Sequence, residues 1–166
     1  CHTVKTAARN RLWPVQVGCG SKLGTEVVIH TLRQWCQRHS GDADKVVLKV
    51  NFSNAFNCID RATCVKELVE HMPQLSRWVE WCYGVRSNLL FGKHTILSSA
   101  GVQQGDPLGH LLFSLALHPV ALELARRGRA GNPGTALDVC TFYLDDRVLC
   151  GSVKAVSEAL QVLLER

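Results

Sequence analysis

The chain is predicted to fold as an α+β domain built around a largely antiparallel sheet. Apolar runs of strand length, at 46–50, 89–97 and 137–150, are separated by stretches with helical apolar spacing. Two of these runs are broken by short polar turns, Gly92-Lys93 and Asp145-Asp146, and a strand–turn–strand pattern of that length makes a hairpin of antiparallel strands. There are no internal repeats, low-complexity tracts or obvious linkers, and 166 residues suffice for one domain with a real core.

In chain order, residues 1–24 carry Pro14, Gly18, Gly20 and Gly24 and read as extended or looped chain. A helix is expected from Thr25, with Val27, Val28, Leu32 and Trp35 on one face and Arg33 and Arg38 nearer the other, stopped by Ser40-Gly41-Asp42. Val46 to Val50 is dense in β-branched residues and reads as a strand. Asp60 is placed to cap a helix through Leu68, and Pro73 suits the first turn of another ending at Gly84. Leu89-Leu90-Phe91 and Thr95-Ile96-Leu97 form the first hairpin. A glycine-rich turn from Gly101 to Gly109 leads into a strongly apolar helix from about Leu108 to Arg127, closed by Gly128. A loop at Gly131-Asn132-Pro133-Gly134 precedes the second hairpin, and Ser152 caps a last helix carrying Val153, Val156, Leu160, Leu163 and Leu164.

Composition is that of an ordinary globular protein: 46% hydrophobic, 20% charged, net charge +5. Residues 1–45 hold seven basic against three acidic side chains, a local +4, while 46–166 hold 12 against 11. A basic N-terminal part is compatible with phosphate backbones, though a small excess is also what a solvated surface looks like. No apolar run is expected to reach the ~20 residues of a membrane span, and no signal-peptide pattern opens the chain. The chain begins with Cys1 rather than Met, which suggests a piece of something longer. Eight cysteines include no C-x-x-C pair; Cys36 near His39 and Cys64 near His71 lack the four-ligand spacing of a zinc site. Reduced, mostly buried thiols in an intracellular protein are therefore expected.

The candidate chemistry sits at Asp145-Asp146. Two adjacent carboxylates at a hairpin tip project together and suit a hard cation such as Mg²⁺; the plain alternative is a turn, where Asp is common. Two other segments bear on this choice: Leu48-Lys49-Val50-Asn51-Phe52-Ser53-Asn54-Ala55-Phe56-Asn57, and Gly101-Val102-Gln103-Gln104-Gly105-Asp106-Pro107-Leu108-Gly109, which runs on through His110-Leu111-Leu112-Phe113.

With Phe142-Tyr143-Leu144-Asp145-Asp146, these segments resemble in order and spacing the palm motifs of reverse transcriptases (RNA-directed DNA polymerases), particularly those of non-LTR retrotransposons. Pro14-Val15-Gln16-Val17-Gly18, with Glu26 and His30 after it, resembles the region just before that palm. The resemblance covers about residues 11–160. It implies a palm-like antiparallel sheet packed on helices over 46–166, a partial fingers segment over 1–45 and no thumb, so a fragment. It further implies an RNA template, a DNA primer and dNTPs as partners, no membrane, and a nuclear or cytoplasmic setting.

Nucleotide addition is phosphoryl transfer, in which two Mg²⁺ ions roughly 4 Å apart activate the primer hydroxyl and stabilise the leaving oxygens. The resemblance assigns Asp145 as metal ligand and Asp146 as its less direct companion. Phe56 matches an aromatic beneath the incoming sugar that rejects a 2′-hydroxyl; read by itself it is a core Phe. Gln104, Gly105 and Pro107 match the turn under the templating pair, where glycine permits close backbone approach; without the family they are a loop before a buried helix. Ala55 and Leu111-Leu112-Phe113 read as packing residues either way.

One position departs from the pattern. The first palm motif carries Asp in the family, and here it is Asn51, which keeps the shape and one oxygen but loses the charge. A loss of ~4 kcal/mol of transition-state stabilisation slows a reaction roughly a thousandfold, and Asp60, nine residues on, is too far to substitute. The expectation is a palm by ancestry with weak or lost catalysis. The alternative from another class is a non-catalytic nucleic-acid-binding or scaffold module that reuses the same surface.

Overall fold

The computed structural model describes residues 2–103, 105–130 and 136–165. It is α+β, with two antiparallel sheets and seven α-helices among the described residues. The helices are α1 (His2–Leu12), α2 (Gly24–Arg38), α3 (Ala55–Cys58), α4 (Arg61–His71), α5 (Ser76–Tyr83), α6 (Pro107–Ala130) and α7 (Val153–Leu164). The main sheet has three strands, β1 (Lys45–Asn51), β4 (Leu137–Tyr143) and β5 (Asp146–Ser152), in the order β1-β5-β4; β2 (Ser87–Phe91) and β3 (His94–Ser98) form a separate hairpin. The single sheet expected from the sequence is thus divided, because β2 and β3 pair only with each other.

The N-terminal segment corrects the sequence reading most clearly. Residues 2–12 form a helix, not loop: Val4, Ala8 and Leu12 recur at helical spacing and enter the core, and Ala and Arg are good helix formers. The glycines and proline that suggested loop lie after it. Elsewhere the local signals hold. Asp60 accepts from the Thr63 N–H at 2.7 Å and Ser152 from the Ala155 N–H at 3.2 Å, each satisfying an orphan donor of a first helical turn. Pro73 opens a 3₁₀ turn, Pro73–Leu75, that leads into α5. Val27 is exposed, while Val28, Leu32 and Trp35 pack on Val139, Val148 and Cys150 of the sheet. Helix α6 runs through Gly128 to Ala130 rather than ending there, and the expected loop at 131–134 lies outside the described residues.

Two cores flank the chain's longest helix. One gathers Ala8 and Leu12 of α1, Cys64 and Leu68 of α4, Val79 and Tyr83 of α5, and Leu111, Leu112, Phe113 and Leu115 of α6. The other packs Ala121 and Leu124 of α6 and Ala159, Val162 and Leu163 of α7 on Phe142 and Leu149 of the sheet. Contrary to the sequence expectation, Pro107–Arg126 is long and apolar enough to cross a membrane by length and composition, and half of that stretch is buried against these two cores. Of the seven cysteines described as free, only Cys64 and Cys150 are fully buried; Cys36 and Cys58 are exposed, so "mostly buried" was too strong.

Where α1, α4 and α6 meet, Arg11 Nη2 lies 2.8 Å from His71 Nε2, His71 lies 3.4 Å from Glu67, and His118 of α6 is buried beside them. Burial first, then the neighbouring Arg11 and His71, push the His118 imidazole down to about 4. An unfolded His titrates near 6.5, so between about 6.5 and about 4 the unfolded chain binds the proton and the native chain does not. Stability from this group is full above pH ~6.5 and is lost as pH falls toward 4, by an amount on the order of 3 kcal/mol. Urea unfolding at a series of pH values is expected to show that slope, and His118→Gln is expected to flatten it; parallel curves for the two proteins would refute the assignment.

Candidate active site

The hairpin tip that carries the two aspartates is built by the segment before α2. Val15 and Val17 run beside β4: the Phe142 N–H donates to Val15 O at 2.7 Å and the Val17 N–H to Phe142 O at 2.8 Å. Between them Gln16 is buried, and its side chain reaches the tip. Gln16 Oε1 accepts from the N–H of Leu144 at 2.9 Å and of Gly18 at 3.0 Å, and Nε2 donates to Leu144 O at 3.3 Å. Leu144 has φ 55°, a left-handed conformation that costs a non-glycine residue ~1 kcal/mol, and the Gln16 amide satisfies both its backbone groups there. Gly18 is required by space: an added Cβ would lie 2.7 Å from Leu144 N.

Asn51 ends β1 and stands opposite Asp146 in the β1–β5 ladder. Beyond it the chain leaves the sheet, turns at Asn54 (φ 54°) and enters α3. Asn51, the loop residues Phe52 to Phe56, and Asp145 line one cleft of about 480 Å³. The structure therefore brings Asn51, Phe56 and Asp145 together. Phe56 also packs inward, stacked on Phe113 with ring centroids 4.3 Å apart and edge-on to His110 at 5.5 Å.

The turn after β3 is tied to this loop through the backbone. The Val102 N–H donates to Phe56 O at 2.7 Å and the Gly101 N–H to Ile59 O at 3.0 Å. Arg61 locks the same corner, donating to Gly101 O, Ser98 O and Ala100 O at 2.9–3.0 Å. Asp106 Oδ1 accepts from the Leu108 N–H at the start of α6, and its other oxygen accepts from the Tyr83 hydroxyl, whose pKa burial and then Asp106 push up. Gly105 (φ 88°) and Pro107, the first residue of α6, are exposed and are not among the residues lining the Asp145 cleft. Gln104 lies outside the described residues.

Asp146 is separated from Asp145. It lines a neighbouring cleft of about 310 Å³ with Lys49, Tyr143 and residues of α2, and its Oδ1 lies 3.2 Å from Lys49 Nζ. Arg147 lies on the other face of β5, fully buried, with none of its guanidinium nitrogens hydrogen-bonded among the described residues. Its Cζ is 3.0 Å from the Phe52 ring centroid and 5.1 Å from that of Phe142. Burial pushes its pKa down to about 10, opposed by the charges of Asp145 and Cys140. Cation–π contact contributes ~2 kcal/mol when desolvated, less than the several kcal/mol that burying an unpaired ion costs.

This donor set does not fit two Mg²⁺ ions. Asn51 is neutral, Asp146 is paired with Lys49 in another cleft, the buried Arg147 stands two residues after Asp145, and no group of three His, Cys, Asp or Glu side chains converges among the described residues. Two of the side chains that shape the site, Gln16 and Arg147, carry no chemical motif. The signal for each was a polar residue inside an apolar alternation, at Val15-Gln16-Val17 and at Arg147-Val148-Leu149.

No protein-family model matches the chain, and no curated protein matches it in sequence. Among solved structures it matches the apo telomerase of Candida tropicalis truncated from its C-terminal domain, with TM-score 0.60 over 98% of this chain, at 11% identity. It spans 35% of that telomerase chain. The chain therefore shares the fold of part of that telomerase.

Replacing Gln16 by Leu strands the N–H groups of Leu144 and Gly18 and is expected to destabilise the protein by about 2–4 kcal/mol. Chemical denaturation measures the loss, and amide exchange at Leu144 is expected to quicken more than at the strand centres. Unchanged exchange at Leu144 would mean that Gln16 does not hold the tip.

Proposed function

We propose that the chain is a reverse-transcriptase-like palm of the non-LTR retrotransposon type, with residues 1–45 as a partial fingers segment, whose RNA-directed DNA synthesis is weak or lost. The observation that carries this reading is the shared cleft of Asn51, Phe56 and Asp145 at the end of an antiparallel sheet, in a fold shared with part of a telomerase. In the ancestral reaction a primer 3′-hydroxyl attacks a dNTP and pyrophosphate leaves, with Mg²⁺ supplying charge neutralisation. In this chain Phe56 is set to lie beneath an incoming sugar and Asp145 keeps the carboxylate of the hairpin. The amide of Asn51 offers an oxygen but no charge, and Asp146 is held by Lys49. Template and primer contacts by Gln104, Gly105 and Pro107 belong to the same proposal.

A second reading is supported by a different surface. Trp78 and Trp81 of α5 are exposed with ring centroids 5.2 Å apart, and Arg77 immediately precedes Trp78 in sequence. Near the end of α5, Lys66 and Arg86 line a cleft of about 480 Å³. Exposed aromatic faces beside basic side chains suit single-stranded nucleic acid, whose bases stack for ~1–3 kcal/mol each. On this reading the protein binds nucleic acid without catalysis.

Two experiments separate the readings. In primer extension with Mg²⁺ and dNTPs, the unmodified chain is expected to stay at background, and any gain in Asn51→Asp would tie position 51 to the reaction. Sustained extension by the unmodified chain would refute the loss of activity. In EDTA, binding to a single-stranded RNA is expected to weaken steeply with salt, to fall about tenfold or more in the Trp78→Ala/Trp81→Ala variant, and to lose about two units of salt slope in Lys66→Ala/Arg86→Ala. Absence of binding at low salt would remove the second reading.

A further inference from the structure

Arg147 is the largest side chain fully withdrawn from solvent, and it follows Asp145-Asp146 directly. In the ladder it stands between Val50 of β1 and Phe142 of β4, on the face of the sheet covered by α6 and α7. Its guanidinium meets the rings of Phe52 and Phe142, and Nε, Nη1 and Nη2 are all without a hydrogen-bond partner among the described residues. A guanidinium stays protonated, so the positive charge is permanent. The carboxylate that acts on it is Asp145, two residues before it, and Phe52, whose ring Arg147 covers, lines the same cleft as Asp145.

We propose that Arg147 takes the electrostatic place of a divalent cation at Asp145, so that the cleft of Asn51, Phe52 to Phe56 and Asp145 is closed to Mg²⁺ even when Asn51 is restored to Asp. The inference rests on the palm reading above and deepens it. With Asp at position 51 and an apolar residue at 147 the cleft would hold two negative charges. The actual chain holds one, from Asp145, and a buried positive charge behind it cancels that one. Site affinity for a hard cation follows the count of charged ligands. A cation arriving at the mouth of this cleft therefore meets no net charge. Asn51→Asp alone brings the sum only to −1, and removing Arg147 as well brings it to −2.

Mn²⁺ binding, read by loss of the free-ion EPR signal, tests this on the folded chain and needs no catalysis. The unmodified chain and Asn51→Asp are expected to show no saturable binding at millimolar Mn²⁺. The double variant Asn51→Asp/Arg147→Leu is expected to bind saturably in that range, at least about tenfold more tightly than the limit set by Asn51→Asp, and adding Asp145→Asn to it to abolish the binding. Arg147→Met in place of Leu guards against a packing artefact of one side chain. Both Arg147 variants are expected to melt at a higher temperature than the parent, since an unpaired buried ion is removed. Saturable binding by the unmodified chain, equal affinity in Asn51→Asp and the double variant, or a lower melting temperature in both Arg147 variants would overturn the proposal. If the folded double variant binds no Mn²⁺ at all, the palm metal reading falls, and this inference with it.

Discussion

The side chain of Gln16 is the interaction on which the site depends. A three-stranded sheet leaves β4 as an edge, and an uncovered edge presents unpaired N–H and C=O groups. The segment Val15 to Val17 covers that edge at Phe142, and Gln16 then reaches two residues along to grip Leu144 by both backbone groups. Without that grip a leucine would have no reason to hold φ 55°, and a relaxed Leu144 would turn Asp145 away from the β1 end. The close approach propagates outward. Gly18 has no room for a side chain against Leu144, and a Cβ on Gly24 would lie 2.2 Å from Val17 O, so the path from Gln16 into α2 is fixed by two glycines in succession. Residues outside the hairpin thus determine where its carboxylates stand.

The second constraint is helix α6, which belongs to both cores. Its N-terminal half closes the cluster of α1, α4 and α5, and its C-terminal half packs on the sheet with α7. Pro119 lies between the halves and removes one hydrogen bond of the helix ladder, to Leu115 O. Because Phe113 of the first half stacks on Phe56, the loop after β1 is anchored to the helical core as well as to the sheet. Arg61 and the Tyr83–Asp106 pair fix the turn before α6 against the same core. The cleft therefore sits where the two packing units meet, which explains why segments far apart in sequence share it.

Much of this was legible from the residues. Asp60 and Ser152 as caps, the strand at 46–50, both hairpins and the buried run Leu111-Leu112-Phe113 follow from local chemistry that needs no tertiary partner. Helix α1 is not legible in the sequence because its apolar face, Val4, Ala7, Ala8 and Leu12, is small, while Pro14 and three nearby glycines are a stronger local signal for loop. The division of the sheet could not be read, since hairpin signals describe pairs and not what the pairs join. At the site, the adjacency of Asp145 and Asp146 suggested a shared direction. A strand sends successive side chains to opposite faces, and Asp146 already belongs to β5. The turn residue and the strand residue therefore part, and Lys49, two places before Asn51 on the neighbouring strand, takes the second carboxylate.

Arg147 shows how loosely the fold constrains the chemistry. The position demands only something that fills the space between Phe52 and Phe142, and a long guanidinium fills it while stacking on both rings. Its guanidinium has no hydrogen-bond partner among the described residues, so the cost falls on stability rather than on the fold's shape. Asn51, nearly isosteric with Asp, pairs with Asp146 in the ladder and adds no charge to the cleft. Shape and charge are thus separable at this site. Phe56, Phe113, Phe142 and Leu149, which pack around the site, are all uncharged. A shared outline is accordingly no measure of a shared reaction, because an exchange between Asn and Asp at position 51 changes the charge of the cleft and leaves its shape nearly unaltered.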